Sequence, residues 1–512
     1  MLFFELMGSK DFKRMNLLDL KNGVCAVIAE KSSRDLIVSC TEAFALGADL
    51  VELRLDFLEE DFSIVEILKS VAGPTLVTIR RKNDGGRWEK GEETRLQILH
   101  QAQISGAHAV DLEVDCFHRF SKSDNCIRIL SYHDFSKTPD FIHELHKEFE
   151  SHRPELVKIA CLANSNSDFA KVLQLYKNAN LPLVAFCMGS IGFPSRLLSL
   201  RQDGCPWMYA NFSENLVNAP GIPLFKNLIS TYPVKNLTNE TRVYGVVGDP
   251  IGHSLSPAIH NACFKDLNYP GFYLPFHVSV SDFSQAINEF NGIPVEGLSV
   301  TIPHKERAFK IASTSSDLVK QIGAANTLVK TNVGYHAENT DATGIIAAIK
   351  TKLGDSLKSM NVLVLGAGGV SRAAVFALKN AGCNVKLTNR SEERAEMLAV
   401  DAGVQNIPWS QRGNFNSGLL VNCTSVGMHP NKDDSPWDSK WFTKGHIAFD
   451  TVYNPIETRF LREAAEAHAV TIDGVEMFVH QAAEQFNLFT SLKAPLDVMR
   501  RTVLEKLRSK NN

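Results

Sequence analysis

Eight short apolar runs recur between Gly23 and Ser213, most of them separated by amphipathic stretches. They read VCAVIAE, DLVELRLD, TLVTIR, AVDLEVD, CIRILSYHDF, LVKIAC, LVAFCM and MYANFS, and Val, Ile and Leu dominate them. Intervening segments such as SRDLIVSCTEAFALGA (33–48) and SDFAKVLQLYKNAN (167–180) carry helical spacing. Strand alternating with helix eight times in roughly 200 residues is the pattern of a (β/α)8 barrel, whose functional side chains stand at the C-terminal ends of the strands. The interval between the fourth and fifth runs is short, so the helix there must be small or distorted.

The chain is longer than this. Its 512 residues exceed one ordinary core, and at about 100 to 250 residues per domain they divide into two or three. After the eighth run come NLVNAPGIPLFKNL and then TYPVKNLTNETR (231–242), a polar segment with a proline and no periodicity that reads as a linker. Beyond it YGVVGDP, GFYLPFHV, GLSVTIP and AANTLVKT read as four strands of a second α/β unit. NVLVLGAGGVSRAAVFALKNAGCNVKLTNR then reads as strand, glycine turn, helix and strand, the start of a dinucleotide-binding fold. With 54 Lys+Arg against 57 Asp+Glu the net charge is only -3, which excludes a global basic field for nucleic acid and favours small-molecule partners. The ten cysteines are scattered without a CxxC pair, so a reducing compartment, the cytoplasm, is expected, and no metal. No apolar run approaches the roughly 20 residues that cross a bilayer, and no membrane association is expected. The opening MLFFELMGSKDFKR lacks a signal-peptide pattern and reads as a disordered extension, with translation from Met15 as an alternative.

In GAGGV, Gly366, Ala367, Gly368, Gly369 and Val370 follow an apolar strand and open a helix. Small residues there let the backbone approach a pyrophosphate, and the helix N-terminus offers free N–H groups. About twenty residues on, where an NAD site usually carries an acid, the second strand ends in TNRSEER. Asn389, Arg390, Ser391 and Arg394 stand there instead, and two guanidinium groups beside a hydroxyl and an amide match a 2′-phosphate, favouring NADP. The competing reading is a solvated helix start with Ser391 as N-cap and Glu392 and Glu393 in the first turn.

The motifs GHSLSPAIHN (252–261), VTIPHKE (300–306), GAANTL (323–328), NTDATG (339–344), GAGGVSRA, NCTSVGM (422–428), DTVYNP (450–455) and DGVEMFVHQAAEQF (473–486) resemble the shikimate dehydrogenase family, in its order. That resemblance implies that Lys305 polarises the substrate oxygen while Asp341 bonds the same hydroxyl and orients the ammonium. In isolation the two would read as a surface ion pair worth little. Ser254 and Ser256, spaced i and i+2, are able to face one way and donate to a carboxylate, although alone they read as turn or N-cap residues before Pro257. By resemblance Thr301, Asn326, Tyr453 and Gln481 complete the ring around the substrate, and Thr424, Ser425 and Gly474 join the cofactor site. Quinate-using relatives tend to carry glycine where Ser256 stands, which favours shikimate.

Residues 23–228 resemble type I 3-dehydroquinate dehydratase, and the order of the two parts resembles the bifunctional enzymes of plants and some bacteria. The implied organisation is an extension (1–22), a barrel (23–228), a linker (229–242), a substrate domain (243–341 and 475–508) and a Rossmann-type NADP domain (342–474). Glu52 and Arg54 share one face of the second strand, Arg80 ends the third, His133 ends the fifth, and Lys158 lies within the sixth with Leu156 and Ala160 on its face. A lysine amid apolar neighbours is costly if charged and unpaired, which favours the neutral amine a nucleophile needs. The resemblance implies that Lys158 forms an imine with the substrate ketone and that His133 removes the neighbouring proton and helps expel the β-hydroxyl as water. Glu52, Arg54, Arg80 and Arg196 would bind substrate oxygens, and Met188 would pack the ring. Two departures stand out. The family's SAPGQ or TAPGQ loop is Asn218, Ala219, Pro220, Gly221 and Ile222 here, replacing the glutamine with isoleucine, and Asp84 stands where a glutamate is usual. The leading expectation is conversion of 3-dehydroquinate to 3-dehydroshikimate and then, with NADPH, to shikimate. The alternatives are a dehydrogenase with an impaired or scaffold barrel, and a non-catalytic NADP sensor.

Overall fold

A computed structural model describes residues 16–213, 219–290, 293–355 and 357–509. Asn218 and residues 1–15 lie outside the described residues. The chain divides into two compact units, one formed by residues up to Thr241 together with Gln285–Ile293, the other by Arg242–Ser284 and the residues from Pro294 on.

Among the described residues the first unit holds eight strands: β1 (Gly23–Ile28), β2 (Leu50–Arg54), β3 (Thr75–Thr78), β4 (Ala109–Leu112), β5 (Ile127–Asp134), β6 (Leu156–Leu162), β7 (Leu183–Met188) and β8 (Trp207–Asn211). All neighbours pair in parallel, in the order β7-β6-β5-β4-β3-β2-β1-β8, so the sheet curls until its first strand has β2 on one side and β8 on the other. At the closure, the Leu183 N–H donates to Gly204 O just ahead of β8. The period of two sends Leu156, Lys158 and Ala160 to one face of β6, and Leu156 and Ala160 join the interior cluster with Val27, Ile129, Phe186 and Trp207. Between β4 and β5 the helix is a single turn, Val114–Phe117.

Two flanking segments differ from their reading as extension and linker. Residues 16–22 form a short turn whose Leu17 is buried in the interior cluster beside Trp207. Segment 229–241 packs on the barrel rather than spanning a gap: Phe225–Thr231 is helical, Val234 and Leu237 are buried, Asn22 Nδ2 donates to Leu237 O at 2.7 Å, and Lys235 pairs with Asp49. Three-residue spacing of the two apolar side chains gives this polar stretch one buried edge.

The second unit has two sheets. In the first, β9 (Arg242–Gly248), β10 (Gly271–His277) and β11 (Val295–Val300) are parallel, while β13 (Thr327–Thr331) and β14 (Gly334–Glu338) form an antiparallel extension, edged by the short β12 (Thr314–Ser315). The other comprises β15 (Asn361–Leu365), β16 (Asn384–Thr388), β17 (Gln405–Asn406), β18 (Gly418–Asn422), β19 (His446–Asp450) and β20 (Val470–Ile472), all parallel in the order β17-β16-β15-β18-β19-β20. Numbered within the sheet this is 3-2-1-4-5-6, the doubly wound dinucleotide order, whose binding crevice opens at the carboxyl ends of β15 and β18. Helix Gly474–Thr490 returns to the first sheet, burying Val475, Val479, Ala482 and Phe486 against Tyr244 and Val246. Helix Thr340–Leu353 packs against it closely: a Cβ at Gly344 would lie 2.7 Å from Met477 O. Unfolding checks the barrel floor: Trp207→Ala removes a fully buried ring and is expected to lower the barrel unit's stability by about 3–5 kcal/mol, read as an earlier urea midpoint.

Candidate active sites

The barrel strands converge on a cavity of about 60 Å³ at their carboxyl ends. Glu52, Arg54, Arg80, His133, Lys158, Met188 and Arg196 all line it, together with Asp84 and Ile222. Contrary to its reading as an unpaired amine, Lys158 is ion-paired: its Nζ lies 2.8 Å from Asp111 Oδ2 and 3.6 Å from Glu52 Oε1, and 4.4 Å from the Tyr209 ring centre. Asp111 in turn accepts from Arg80 Nη2 at 2.6 Å and from Ser131 Oγ at 2.5 Å. Burial alone would raise its carboxyl, but Arg80 and Lys158 outweigh that and hold it well below the usual carboxylate range.

Arg80 is thus committed to Asp111 and to Glu113 (2.6 Å), and Arg54 makes a bidentate pair with Asp56 at 3.0 and 2.9 Å. Arg196 differs. Among the described residues its guanidinium has no acidic partner; it stacks 4.2 Å from the Phe186 ring centre, Nη2 donates to Pro220 O at 3.3 Å, and burial pulls it down to about 9. Burial, then Arg80 and Lys158, push the His133 imidazole well below its ordinary value, so it is neutral at physiological pH. Gly221 (φ 68°) lets the loop 219–222 settle on Gly189, where a Cβ would lie 2.5 Å from Gly189 O. This turns Ile222 toward the cavity, while Asp84 is tied to Arg81 at 2.5 Å. Sequence reasoning missed Asp111 and Glu113. The available signal was two acids alternating through an apolar run, AVDLEVD, as Glu52 and Arg54 alternate through theirs.

In the second unit, Lys305 opens a short helix after β11 and pairs directly with Asp341 in the first turn of helix Thr340–Leu353, whose Asn339 cap accepts from Ala342 N–H. Asn326 Nδ2 donates to Asp341 Oδ1 at 3.0 Å. Thr301 follows β11 and donates its N–H to Val247 O of β9. Ser254 and Ser256 follow β9; Ser256 begins helix Ser256–Asp266, and its N–H donates to Ser254 Oγ at 3.3 Å. Gln481 Nε2 donates to Phe478 O, and Tyr453 stacks on Phe478 at 4.2 Å, with burial raising its hydroxyl to about 12. Gln481 also meets Gly344, one turn from Asp341, where a Cβ would lie 3.1 Å from Gln481 N.

The glycine turn adjoins this pair. Gly366 has φ 119°, and a Cβ there would lie 2.8 Å from Ser371 Oγ and 3.2 Å from the Cys423 backbone. A Cβ on Gly369 would stand 3.2 Å from Lys305 Cδ, whereas at Gly368 it would meet open space. Helix Gly369–Asn380 starts here, flanked by half-buried Ala367 and Val370. At the end of β16, Arg390, Ser391 and Arg394 are exposed, and among the described residues neither guanidinium has an acidic partner. Ser391 occupies the N-cap position but its side chain makes no cap bond, leaving the hydroxyl available, while Asn389 Nδ2 is used on Ser391 O. Thr424 Oγ1 is likewise used within its turn, donating to Asn422 Oδ1 at 2.7 Å; Ser425 is exposed. Gly474 lets its helix abut Val452, where a Cβ would lie 2.4 Å from Val452 O. Among the described residues no cluster suits a metal ion, none of the ten cysteines is in a disulfide, and no helix is long and apolar enough to cross a membrane.

Fold and sites define a fused pair of α/β units, a lysine-bearing barrel and a doubly wound dinucleotide-fold unit. A family model described as type I 3-dehydroquinase matches residues 24–238, and models for the shikimate dehydrogenase substrate-binding domain, shikimate/quinate 5-dehydrogenase and the shikimate 5'-dehydrogenase C-terminal domain match 246–328, 347–415 and 474–504. The chain is 34% identical over 507 residues to a chloroplastic bifunctional 3-dehydroquinate dehydratase/shikimate dehydrogenase of Arabidopsis thaliana, covering 93% of this chain and 83% of the relative. It is 41% identical over 279 residues to an NADP+ shikimate dehydrogenase of Methanosarcina mazei, covering 52% of this chain and 99% of the relative. A crystal structure of a shikimate dehydrogenase in complex with NADP+ matches at TM-score 0.51 and 30% identity, covering 52% of this chain and 96% of that one. The chain belongs to the bifunctional 3-dehydroquinate dehydratase/shikimate dehydrogenase family.

The electrostatics of the barrel site are testable without substrate. The His133 ring is expected to titrate below 6.5 in an NMR series, and Lys158→Met, by removing one repelling cation, to move that midpoint upward. A midpoint at or above 6.5 contradicts the assignment.

Proposed function

We propose that this chain dehydrates 3-dehydroquinate in its barrel and reduces 3-dehydroshikimate to shikimate with NADPH in its second unit. The observation that carries the second half is the closeness of Gly369 to Lys305, whose Cδ would lie 3.2 Å from a Cβ built on the glycine, which sets an ammonium–carboxylate pair beside the mouth of a dinucleotide turn. The residues present fit NADPH: Gly368 opens onto free space at a helix N-terminus where a pyrophosphate would sit, with Gly366 packed on Ser371 and Gly369 near Lys305, and among the described residues Arg390 and Arg394 have no acidic partner and the Ser391 hydroxyl makes no cap bond, so all three suit a 2′-phosphate. When bound, NADPH supplies hydride. Lys305 polarises the ketone oxygen and delivers the proton that completes the alcohol, and Asp341 orients the ammonium while bonding the same hydroxyl. Ser254, Ser256, Thr301, Asn326, Tyr453 and Gln481 hold the carboxylate and ring hydroxyls, with Ser256 favouring shikimate over quinate.

In the barrel, Arg196 takes the substrate carboxylate, since it is the buried guanidinium lining the cavity that has no acidic partner among the described residues. Lys158 leaves Asp111 and adds to the ketone carbon; loss of the carbonyl oxygen as water gives the imine. Asp111 is held well below the usual carboxylate range and His133 is neutral, so His133 takes the ammonium's proton and hands it to the carbonyl oxygen as that oxygen leaves as water, which returns the imidazole to its neutral form. His133 then removes the C–H proton acidified by the imine and returns it to the departing β-hydroxyl, releasing water, and a second water hydrolyses the imine. Ten cysteines outside any disulfide fit a reducing compartment such as the cytoplasm.

The test is product analysis with 3-dehydroquinate. Without NADPH, 3-dehydroshikimate is expected to accumulate, and borohydride to trap an adduct on Lys158; with NADPH, shikimate is expected. A silent dehydration beside active reduction of 3-dehydroshikimate selects the scaffold-barrel reading, which Ile222 at the cavity favours. Restoring a hydrogen-bonding side chain with Ile222→Gln is expected to raise dehydratase kcat/KM by roughly 5- to 150-fold, the equivalent of about 1–3 kcal/mol. An unmodified Lys158 under saturating substrate and borohydride overturns the barrel mechanism.

A further inference from the structure

Behind the Lys305–Asp341 pair runs a buried polar chain whose donors and acceptors are all determined. A carboxylate only accepts, so Asn326 must turn Nδ2 to Asp341 Oδ1 (3.0 Å), which leaves its Oδ1 to accept from Thr340 N–H (2.8 Å) and Thr327 Oγ1 (2.9 Å). With its proton given to Asn326, the Thr327 hydroxyl accepts from Gln485 Nε2 at 3.2 Å, and the same Nε2 donates to Asn326 O at 3.2 Å. Gln485 therefore faces Ser299 with Oε1, accepting from Ser299 Oγ at 2.7 Å, and Ser299 accepts from Tyr273 OH at 2.5 Å. Tyr273, Ser299, Gln485, Thr327, Asn326 and Asp341 are all buried. His260 stacks on Tyr273 at 4.3 Å and seals the far end; burial pushes its imidazole down to about 3 and the Tyr273 hydroxyl up, so neither changes charge at working pH. Flipping Gln485 is disfavoured because it would set its amide oxygen against the Asn326 carbonyl in place of the donor that carbonyl now accepts from.

We propose that Gln485 is a positioning residue for ketone reduction: it fixes the Thr327 hydroxyl, through that the face Asn326 turns to Asp341, and so the aim of Lys305. This rests on the dehydrogenase reading of Lys305 and Asp341. Gln485 lies one helical turn from Gln481, and its partners are Ser299 of β11, Thr327 of β13 and Asn326 just before it, so it ties the helix Gly474–Thr490 to the sheet that carries Asn326. Its effect is on orientation; it touches neither substrate nor cofactor in this role.

The experiment is a double-mutant cycle on the full-length enzyme, assayed with 3-dehydroshikimate and NADPH. Gln485→Leu is expected to lower kcat about tenfold while the KM for NADPH stays within twofold. In an Asn326→Ala background the same change is expected to cost less than twofold, because the residue it acts through is gone. A second tenfold loss in that background, or an unchanged kcat in the single variant, overturns the proposal. Should the leucine variant not fold, Gln485→Glu keeps the shape but loses the donor, and wild-type kcat in it overturns the proposal equally. Absence of NADPH-dependent reduction in the wild-type chain would instead overturn the dehydrogenase reading and take this proposal with it.

Discussion

A lysine taken out of water needs an anion, and both sites are built around that requirement. Lys158 meets Asp111 and Lys305 meets Asp341, each pair nearly removed from solvent. Desolvation of two ions is repaid only when geometry is good and the remaining lone pairs are satisfied, and stranding either partner costs about 3–5 kcal/mol. The surrounding structure is therefore organised around the carboxylate rather than the lysine. Asp111 has Arg80 and Ser131; Asp341 has Asn326 and a place in the first turn of a helix.

The two solutions differ in what they leave over. In the barrel the anion Asp111 is held by two cations, Arg80 and Lys158, in a cavity that Arg54 and Arg196 also line. Asp341 instead sits where helix dipole and amide donors stabilise negative charge without adding another full positive one. Lys305 is then the principal cation at its pair, and a carbonyl oxygen gaining charge beside it meets no competing guanidinium in the same contact. A cation-rich cavity suits binding and imine chemistry, whereas a single aimed ammonium suits polarising one oxygen.

Much of this was legible in the sequence because periodicity and misfit residues carry it. Eight apolar runs gave the barrel, and Lys158 was visible as a charge where the run demanded an apolar side chain. The glycine turn was visible because its residues are adjacent. Asp111 was harder to see because its pairing is across strands, 47 residues from Lys158, and an acid in an alternating run reads equally well as facing outward. Gln485 was invisible for the same reason: its partners are as many as 186 residues away, and beside Gln481 it looks like the polar edge of an amphipathic helix. The segment 229–241 looked like a linker because composition reports polarity, not the two spaced side chains, Val234 and Leu237, that dock it.

Arg196 bears most directly on whether the barrel is more than a scaffold. A guanidinium that is 2% exposed, with no acidic partner among the described residues and its Nε unbonded, destabilises the empty fold. Arg54 and Arg80, in the same cavity, both have carboxylates, so the fold is able to supply them there. Leaving Arg196 without one is an arrangement that gains only when an anion arrives from outside, at which point the loop carrying Pro220 and Ile222 is already in contact with it. That reasoning supports anion binding by the barrel whatever Ile222 does to the rate. Turnover, on the mechanism proposed above, needs a different contact: Lys158 exchanges Asp111 for the substrate carbonyl, and His133, kept neutral by burial and then by Arg80 and Lys158, takes the proton this releases.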